Sequence, residues 1–584
     1  MRRFQTFLIV KLAVTVIITK RNPNIIMPNS SKCYRWILLA AFAGWYPIAV
    51  HAAEARVEAN RMVEFTFTSD KVYKDPFNEV ELTAVFHTPQ GQDLRVPAFW
   101  AGGQVWKVRY ASAAVGLHTF RTECSDRANG KLHGAAGRVE VVPYRGDNPL
   151  YAHGPIRVAD DHRHFAHADG TPFFWLGDTW WMGLCQRLHW PADFQQLAAD
   201  RKAKGFNVVQ IVAGLYPDMP AFDPRGANEA GFPWETDYAR IRPEYFDKAD
   251  QRLQYLADQG FVPCIVGAWG YHLPWLGTDK MKRHWRYLIA RYAALPVVWC
   301  AAGETTSAYY LSKDPGRDAK VQKEGWTEVC RCIHRTDPFG HPLTLHPSWR
   351  TPARASVTEA SLIDFEMLQT GHGMHEVIGP SAAQIRAVWQ TPPALPVIDG
   401  EPAYENLNGQ TPADVCRAVF WLCITNGAAG HTYGANGIWQ VNRPEQPYGP
   451  SPGGNNWGTI PWPDAMKLPG SAQVSQGKKL LMQYEWWRFE PHADWAAFAG
   501  HEHDNLLPPQ TLGIAGGTRI IYVPQGGPVM LRSLAAGAAY RTLYFDPIDG
   551  KKTDLGEVRA DTAGTWTCPK QSDHDWVIIL EPAK

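Results

Sequence analysis

The chain has 584 residues, and its 58 lysines and arginines nearly balance 57 aspartates and glutamates, which leaves a formal net charge of +1. This balance counts against a nucleic-acid-binding protein, and a 45% share of hydrophobic residues counts against a disordered chain. At roughly 150 residues per domain, the length predicts about three or four domains, or fewer if one is a barrel. Aromatic residues reach 12%, which suits stacking on sugar rings as well as core packing.

The N-terminal segment has the pattern of a secretory signal peptide. A stretch with basic residues after Met27 precedes the apolar run Trp36–Trp45, and small residues follow at Ala52 and Ala53. This order predicts an exported protein, secreted or periplasmic, that is cleaved near Ala52 or Ala53. Residues 1–26 are then an upstream extension, and the alternative is an uncleaved membrane anchor. No later run reaches about 18 apolar residues, so no membrane span is predicted after removal of the signal.

The rest of the chain divides into three segments. Residues 54–147 alternate short apolar runs with turns, as in Val63-Glu-Phe-Thr-Phe, which predicts an antiparallel β-sandwich. Residues 148–485 alternate strand-like and helical stretches, which is typical of a parallel α/β domain. Residues 486–584 return to short strands, as in Arg519-Ile-Ile-Tyr-Val, and predict a second small β-sandwich.

The central segment contains eight candidate strands. They are Phe173–Gly177, Val208–Val212, Val262–Val266, Val297–Ala301, Leu343–His346, Ile363–Leu368, Pro396–Gly400 and Gly427–His431. The candidate helices between them include Ala192–Lys204, Tyr245–Gln259, Asp279–Ala293, Gln322–Arg335 and Pro412–Ile424. Eight such units in roughly 330 residues predict a (β/α)8 TIM barrel. The alternative is a doubly wound sheet, but no G-x-G-x-x-G turn follows the first strand.

Chemistry in a TIM barrel occurs at the C-terminal ends of the strands. Glu304 follows strand four and Glu401 ends strand seven, and each comes directly after a glycine. These strands lie on opposite sides of a barrel, so both carboxylates can point into one cleft, as glycosidic cleavage requires. The candidate substrate-binding residues near the strand ends are Asp178, Trp180, Trp181, Trp269, His272, His346, Gln369, His372, His431, Tyr433 and Trp457.

The segment Phe-Ala-His-Ala-Asp-Gly-Thr-Pro-Phe-Phe-Trp-Leu-Gly-Asp-Thr-Trp-Trp (residues 165–181) resembles the opening of apiosidase-like (DUF4038) glycoside hydrolase barrels, and residues 396–405 form a second matching motif. The preceding sandwich resembles the DUF5060 module. The last segment resembles a small C-terminal domain that is sometimes labelled collagen-binding. Together these resemblances cover nearly all of the mature chain.

Such barrels resemble the large retaining clan, with the acid/base on strand four and the nucleophile on strand seven. The resemblance therefore implies Glu304 as acid/base and Glu401 as nucleophile. Relatives often have Gly-Gly-Asp where this chain has Ala302-Gly303-Glu304. Because Glu is one methylene longer, apiose specificity does not follow from the resemblance. Asp178 is the alternative catalytic residue.

The catalytic assignment carries geometric expectations. A retaining pair should lie roughly 5–5.5 Å apart. Glu304 needs a raised pKa, which burial beside Trp299 or another aromatic ring would supply. Glu401 should stay ionised, held by hydrogen bonds from neighbours such as His346 or Tyr433. The long segment from Gln446 to Trp462 should fold over the cleft and offer Trp457 to a sugar.

These observations predict an exported retaining glycoside hydrolase that cleaves plant cell-wall polysaccharide (pectic and apiose-containing chains included) or microbial polysaccharide. The alternative is a non-catalytic carbohydrate-binding or adhesion protein on a barrel scaffold. A third class, a metal-dependent barrel hydrolase, is disfavoured because no His-x-His follows strand one.

No cofactor or metal ion is predicted. The ten cysteines include a C-x-C but no C-x-x-C, so neither a zinc ribbon nor a redox motif is indicated. Export would allow a disulfide or two, although a chain of this size does not depend on them.

Overall fold

A computed structural model describes residues 53–500 and 505–583. The predicted upstream extension and the predicted signal peptide, up to Ala52, lie outside the described residues. Within the described part, none of the helices is both long enough and apolar enough to cross a membrane.

The first segment forms two packed sheets around a core of aromatic rings, with Phe65 4.7 Å and Phe86 4.9 Å from Phe120 between ring centroids. One sheet has, in spatial order, the strands Ala53–Glu58, Ala136–Val142, Gly116–Cys124, Leu82–His87 and Asp93–Pro97. The other has Val63–Thr68, Val105–Tyr110 and Phe99–Trp100. The first and last strands pair in parallel. The sandwich is therefore not wholly antiparallel, in contrast to the prediction. A parallel pair needs a long crossover, and here the whole sandwich lies between the two strands.

The central segment forms a barrel of eight parallel strands, as predicted. In chain order, barrel strands one to eight are Trp175–Thr179, Val208–Val212, Val262–Val266, Val298–Cys300, Leu343–Thr344, Glu366–Gln369, Val397–Glu401 and Gly430–Tyr433. Their spatial order is five, four, three, two, one, eight, seven, six. The Asp364 N–H donates to the Leu343 carbonyl at 2.9 Å and connects strands five and six across the remaining gap. Strand eight begins three residues later than predicted because Gly427, with φ +100°, still belongs to the turn that ends the preceding helix.

Seven α-helices of at least 12 residues surround the barrel in the described residues: Ala192–Ala203, Pro243–Asp258, Thr278–Tyr292, Pro315–Thr336, Ile378–Trp389, Ala413–Thr425 and Pro469–Leu481. The short 3₁₀ turns Ala353–Ser356 and Ala360–Leu362 take the place of a helix between strands five and six. The helix after strand four starts seven residues earlier than predicted. Asp314 caps it by accepting from the Arg317 N–H at 3.0 Å, and Pro315 occupies its first position.

A small antiparallel sheet closes the N-terminal end of the barrel. Its strands are Ile156–Val158, Phe165–His167 and Pro172–Phe173. The Phe165 ring contacts Trp175 and Phe365, which stand at the starts of strands one and six, with centroid distances of 5.6 and 5.1 Å. The first half of the 165–181 motif therefore closes the end of the barrel opposite the C-terminal ends of its strands.

The last segment again forms two sheets. One contains Glu490–Pro491, Gln510–Gly513, Arg519–Val523, Trp576–Pro582, Ala539–Phe545 and Lys552–Arg559, and the other contains Ala496–Phe498, Val529–Leu531 and Trp566–Cys568. It packs on the barrel helix Ala413–Thr425, where Trp421 stacks on Tyr522 at 5.7 Å and Arg417 pairs with Asp575. The nine cysteines of the described residues are all free thiols, so the disulfides allowed by export do not form among them.

Candidate active site

The barrel brings Glu304 and Glu401 close enough for one side-chain amide, that of Gln369, to contact both carboxylates. Gln369, at the end of strand six, places its Nε2 2.7 Å from Glu401 Oε1 and 3.3 Å from Glu304 Oε1. Strand six has a register shift against strand seven between Leu368 and Gln369. Such a bulge re-aims the following side chain, and here the amide lies between both acids.

Several polar side chains surround the carboxylate of Glu401. His346 Nε2 and Tyr404 Oη lie 3.0 and 2.9 Å from its Oε2, and His372 Nε2 lies 3.0 Å from its Oε1. The Glu304 backbone N–H donates to His346 Nδ1 at 3.4 Å, so this ring nitrogen acts as an acceptor. Burial acts to raise the pKa of Glu401, but the contacts with His346 and His372 outweigh it and lower this pKa well below its usual value.

Glu304 has the opposite electrostatic setting. It is partly exposed to the cleft, and its pKa is raised, first by desolvation and then by the negative charge of Glu401. The predicted aromatic neighbour is Trp269, whose indole Nε1 donates to Glu304 Oε2 at 3.3 Å. Trp299 does not contribute, because its Nε1 donates to Asp337 on the helix side of strand four. One acid is therefore poised to stay ionised and the other to hold a proton.

Local packing requires a glycine directly before each of Glu304 and Glu401. A Cβ on Gly303 would lie 2.2 Å from the Trp269 ring, so only glycine lets this indole approach Glu304. A Cβ on Gly400 would lie 2.4 Å from Met367 in the neighbouring strand. Glu304 itself has a φ of +39°, an unfavourable backbone conformation for a residue with a side chain. Such strain is typical of active sites and fits a carboxylate that is turned out of its strand.

A cavity of about 90 Å³ lies over the two carboxylates. Its lining consists of Trp181, Pro217, Asp218, Trp269, Glu304, Tyr310, Gln369, His372, Glu401, Tyr404, Leu407, Trp439 and Trp457. One water needs roughly 10–15 Å³ of such a cavity, so the cavity has room for a handful of waters. This space is close to the size of one sugar ring.

Five of the predicted substrate-binding residues meet at this cavity, and a sixth contacts Glu401. Trp181, Trp269, Gln369, His372 and Trp457 line the cavity. His346 is fully buried beneath Glu401. The segment after strand eight carries Trp457 to the cavity wall, as predicted.

Asp178 and Trp180 lie elsewhere. Asp178 is fully buried, and its Oδ2 accepts from Arg201 Nε at 2.6 Å and from Trp180 Nε1 at 2.7 Å. Successive side chains of a strand point to opposite faces. Thr179 faces the site and contacts the Tyr404 hydroxyl, so its neighbours face the helix layer instead. The expected sugar contacts of Asp178 and Trp180 are therefore not supported, nor is the alternative catalytic role of Asp178.

Three more predicted residues are outside the cavity lining. Tyr433 donates its hydroxyl to Glu405, not to Glu401. His431 packs against Phe420 of a barrel helix, and burial lowers its pKa to about 3. His272 Nε2 lies 3.0 Å from the Tyr216 carbonyl, and burial lowers the pKa of His272 to about 4. All three are neutral packing groups.

Sequence reasoning missed six residues of the cavity lining, and four of them carry polar or aromatic side chains: Tyr404, Asp218, Tyr310 and Trp439. Tyr404 belongs to the second matching motif and could have been found there, three residues after Glu401. Asp218 follows strand two, and Tyr310 donates to its Oδ1. Burial, followed by the charges of Glu304 and Glu401, raises the pKa of Asp218 to about 7. Only the fold brings this third carboxyl to the other two.

The described residues contain no cluster of three or more His, Cys, Asp or Glu side chains that could hold a metal ion.

Three family models match the chain. The model "Apiosidase-like, catalytic domain" matches residues 159–488. The domain of unknown function DUF5060 matches residues 56–125, and a model for a proposed collagen-binding domain of a collagenase matches residues 511–581. No curated protein matches the chain.

Solved structures share the fold. A glycoside hydrolase is 22% identical over 75% of this chain and 99% of its own, with a TM-score of 0.63. A family 5 glycoside hydrolase from Bacteroides vulgatus ATCC 8482 has the same identity and TM-score over 75% of this chain and 96% of its own. A third structure, from the same bacterium, is 16% identical over 91% of this chain and 100% of its own, with a TM-score of 0.65.

Proposed function

Because the chain belongs to the apiosidase-like catalytic-domain family and is a glycoside hydrolase, we propose that Glu304 and Glu401 cleave the glycosidic bond with retention of anomeric configuration. Glu304 is the acid/base and Glu401 is the nucleophile. The observation that carries this proposal is the position of Gln369 Nε2, within 3.3 Å of one carboxylate and 2.7 Å of the other.

The separation of the two acids supports retention. Since one nitrogen contacts both, Glu304 Oε1 and Glu401 Oε1 can be at most about 6 Å apart. Retaining enzymes hold their carboxyl groups roughly 5–5.5 Å apart, whereas inverting enzymes need about 6.5–9.5 Å to admit a water between acid and sugar. The upper limit on the separation of Glu304 and Glu401 leaves little room for that water and fits direct attack by a carboxylate.

The opposite pKa shifts support the division of roles. Glu304, with its raised pKa, protonates the leaving oxygen in the first step. Glu401, with its lowered pKa, attacks the anomeric carbon as a carboxylate and forms a glycosyl ester. In the second step the ionised Glu304 takes a proton from water as the water oxygen attacks the anomeric carbon, and the ester bond to Glu401 breaks, which releases the sugar and regenerates both groups.

The cavity supports recognition of one sugar ring at the cleaved bond. Trp181, Trp269, Trp439 and Trp457 supply flat apolar faces, and Asp218, His372 and Gln369 supply polar atoms for hydroxyl groups. We also propose that the enzyme is exported and acts on plant cell-wall polysaccharide, pectic and apiose-containing chains included, or on microbial polysaccharide. The signal-like segment before Glu54 supports export.

The test starts with the purified protein and a panel of aryl glycosides and cell-wall oligosaccharides, pectic fragments included. With a substrate found, NMR of the first product should show the starting anomer, and inversion would refute the mechanism. Glu401→Gln should lose several orders of magnitude in kcat while its near-UV circular dichroism stays unchanged. Absence of hydrolysis across the panel, combined with binding of a glycan, would favour the non-catalytic alternative.

A second variant separates the roles. Glu304→Ala should spare glycosylation of substrates with good leaving groups, because these need no protonation. Azide should then enter the space left by the Glu304 carboxylate and yield a glycosyl azide of retained configuration. Equal damage to good and poor leaving groups would contradict the acid role.

A further inference from the structure

The cavity accommodates one ring, so the leaving group of a saccharide substrate must lie outside it. We propose that Trp349 is the platform on which the sugar ring of the leaving group stacks, and that Arg350 orients its indole. This inference rests on the proposed function and adds a leaving-group subsite to it. The predicted substrate class is a glycoside whose leaving group is itself a sugar.

Trp349 is unusually exposed. Among the large hydrophobic residues of the described chain, only two exposed ones are aromatic, Trp349 at 57% and Tyr310 at 38%. Both lie on loops at the C-terminal end of the barrel, after strands five and four respectively. Tryptophan is normally highly buried. Beside the cavity, the exposed indole offers a flat apolar face on which a sugar ring can stack.

Backbone and side-chain contacts place the Trp349 loop beside the acid/base. Ser348 Oγ lies 3.0 Å from Thr306 Oγ1 and 2.9 Å from Ser307 Oγ, in the segment directly after Glu304. The leaving oxygen takes its proton from Glu304, so the leaving group must be on this side of the cavity.

A second set of contacts anchors the same loop to strand six. The Arg350 N–H donates to the carbonyl of Gln369, the residue that bridges the two acids, at 3.0 Å. A Cβ on Gly371 would lie 2.3 Å from Trp349 Nε1, and Gly371 has a φ of +116°. The glycine therefore makes room for the indole next to His372 of the cavity wall.

Arg350 holds the indole in place. Its guanidinium carbon lies 4.4 Å from the centroid of the Trp349 ring, within the range of a cation–π contact. Within residues 53–500 and 505–583, the Arg350 side chain makes no ion pair that would give it another role. A preoriented indole loses little conformational freedom when a ring stacks on it, which favours binding.

The experiment compares two substrates that share one glycone, a glycosyl fluoride and an oligosaccharide. Fluoride leaves without a ring, so it does not use Trp349. Trp349→Ala should lower kcat/KM for the oligosaccharide roughly tenfold or more, mainly by raising KM. The same variant should change kcat/KM for the glycosyl fluoride less than about twofold. Trp349→Phe should recover part of the loss because it keeps a flat ring. Arg350→Ala should lower the same parameter less than Trp349→Ala does.

Controls keep the outcomes separate. Met482→Ala removes a side chain of similar exposure (50%) after the last barrel helix and should leave kcat/KM unchanged for both substrates. Equal losses on both substrates in Trp349→Ala, or no loss on the oligosaccharide, would overturn the platform. Failure of the proposed function would show differently, as full activity of Glu401→Gln on the fluoride, whatever Trp349→Ala does.

Discussion

Replacing Asp178 by Asn tests whether this residue serves substrate or fold. Asp178 and Arg201 are both fully shielded from solvent, and the bond between them is 2.6 Å long. Breaking a buried pair by removing one charge typically costs about 3–5 kcal/mol, because the other charge stays buried without compensation. Arg201 keeps Asp200 at 2.6 Å and the Met466 carbonyl at 3.2 Å. We therefore expect a loss near the low end, about 3 kcal/mol in the free energy of unfolding.

The assay is urea unfolding followed by tryptophan fluorescence, combined with kcat/KM on the folded protein. Asp178→Asn should lower the unfolding midpoint and leave kcat/KM within about threefold of wild type, since its side chain is outside the cavity lining. Removing both charges in Asp178→Leu/Arg201→Met should restore much of the stability, because a buried ion pair is often no better than an apolar pair. A hundredfold fall in kcat/KM with unchanged stability would refute this reasoning and return Asp178 to the catalytic machinery.

Three further predictions concern the site. His346→Gln should move the acidic limb of the pH profile of kcat/KM to higher pH, because the pKa of Glu401 is no longer lowered by His346; an unmoved limb would contradict this. The pKa of Asp218 is raised to about 7, so the free energy of unfolding of the wild type should fall as the pH rises from about 4 to 7, since the unfolded state ionises first. Asp218→Asn should reduce this pH dependence in urea unfolding, and an equal pH dependence in both proteins would contradict the prediction. Gly303→Ala should cut kcat by about a hundredfold or more, because its Cβ would lie 2.2 Å from the Trp269 ring. The control Gly316→Ala should leave kcat unchanged, because its Cβ would meet only Asp314 Oδ1, at an ordinary contact distance of 3.8 Å.

Local patterns were sufficient for the elements and for the two acids. Strand runs such as Val208–Val212 are buried at every position, and apolar at all but Gln210, because a parallel sheet covered on both faces buries each side chain. Glu304 and Glu401 could be identified because the C-terminal ends of parallel strands converge at one end of a barrel. The limits of individual elements were less predictable, as at strand eight, where a left-handed glycine delays the strand.

The direction of each side chain at those strand ends depended on the fold. Asp178 and Glu401 both follow a glycine near a strand end, yet one faces the helix layer and the other the cavity. A shift of a single residue reverses the face, and the sequence pattern places strand ends with a larger error than that. Asp218 shows the same limit, since its separation from Glu304 along the chain says nothing about their proximity. The amino-acid order thus determined the barrel and singled out Glu304 and Glu401, whereas register and long-range packing selected which polar side chains surround them.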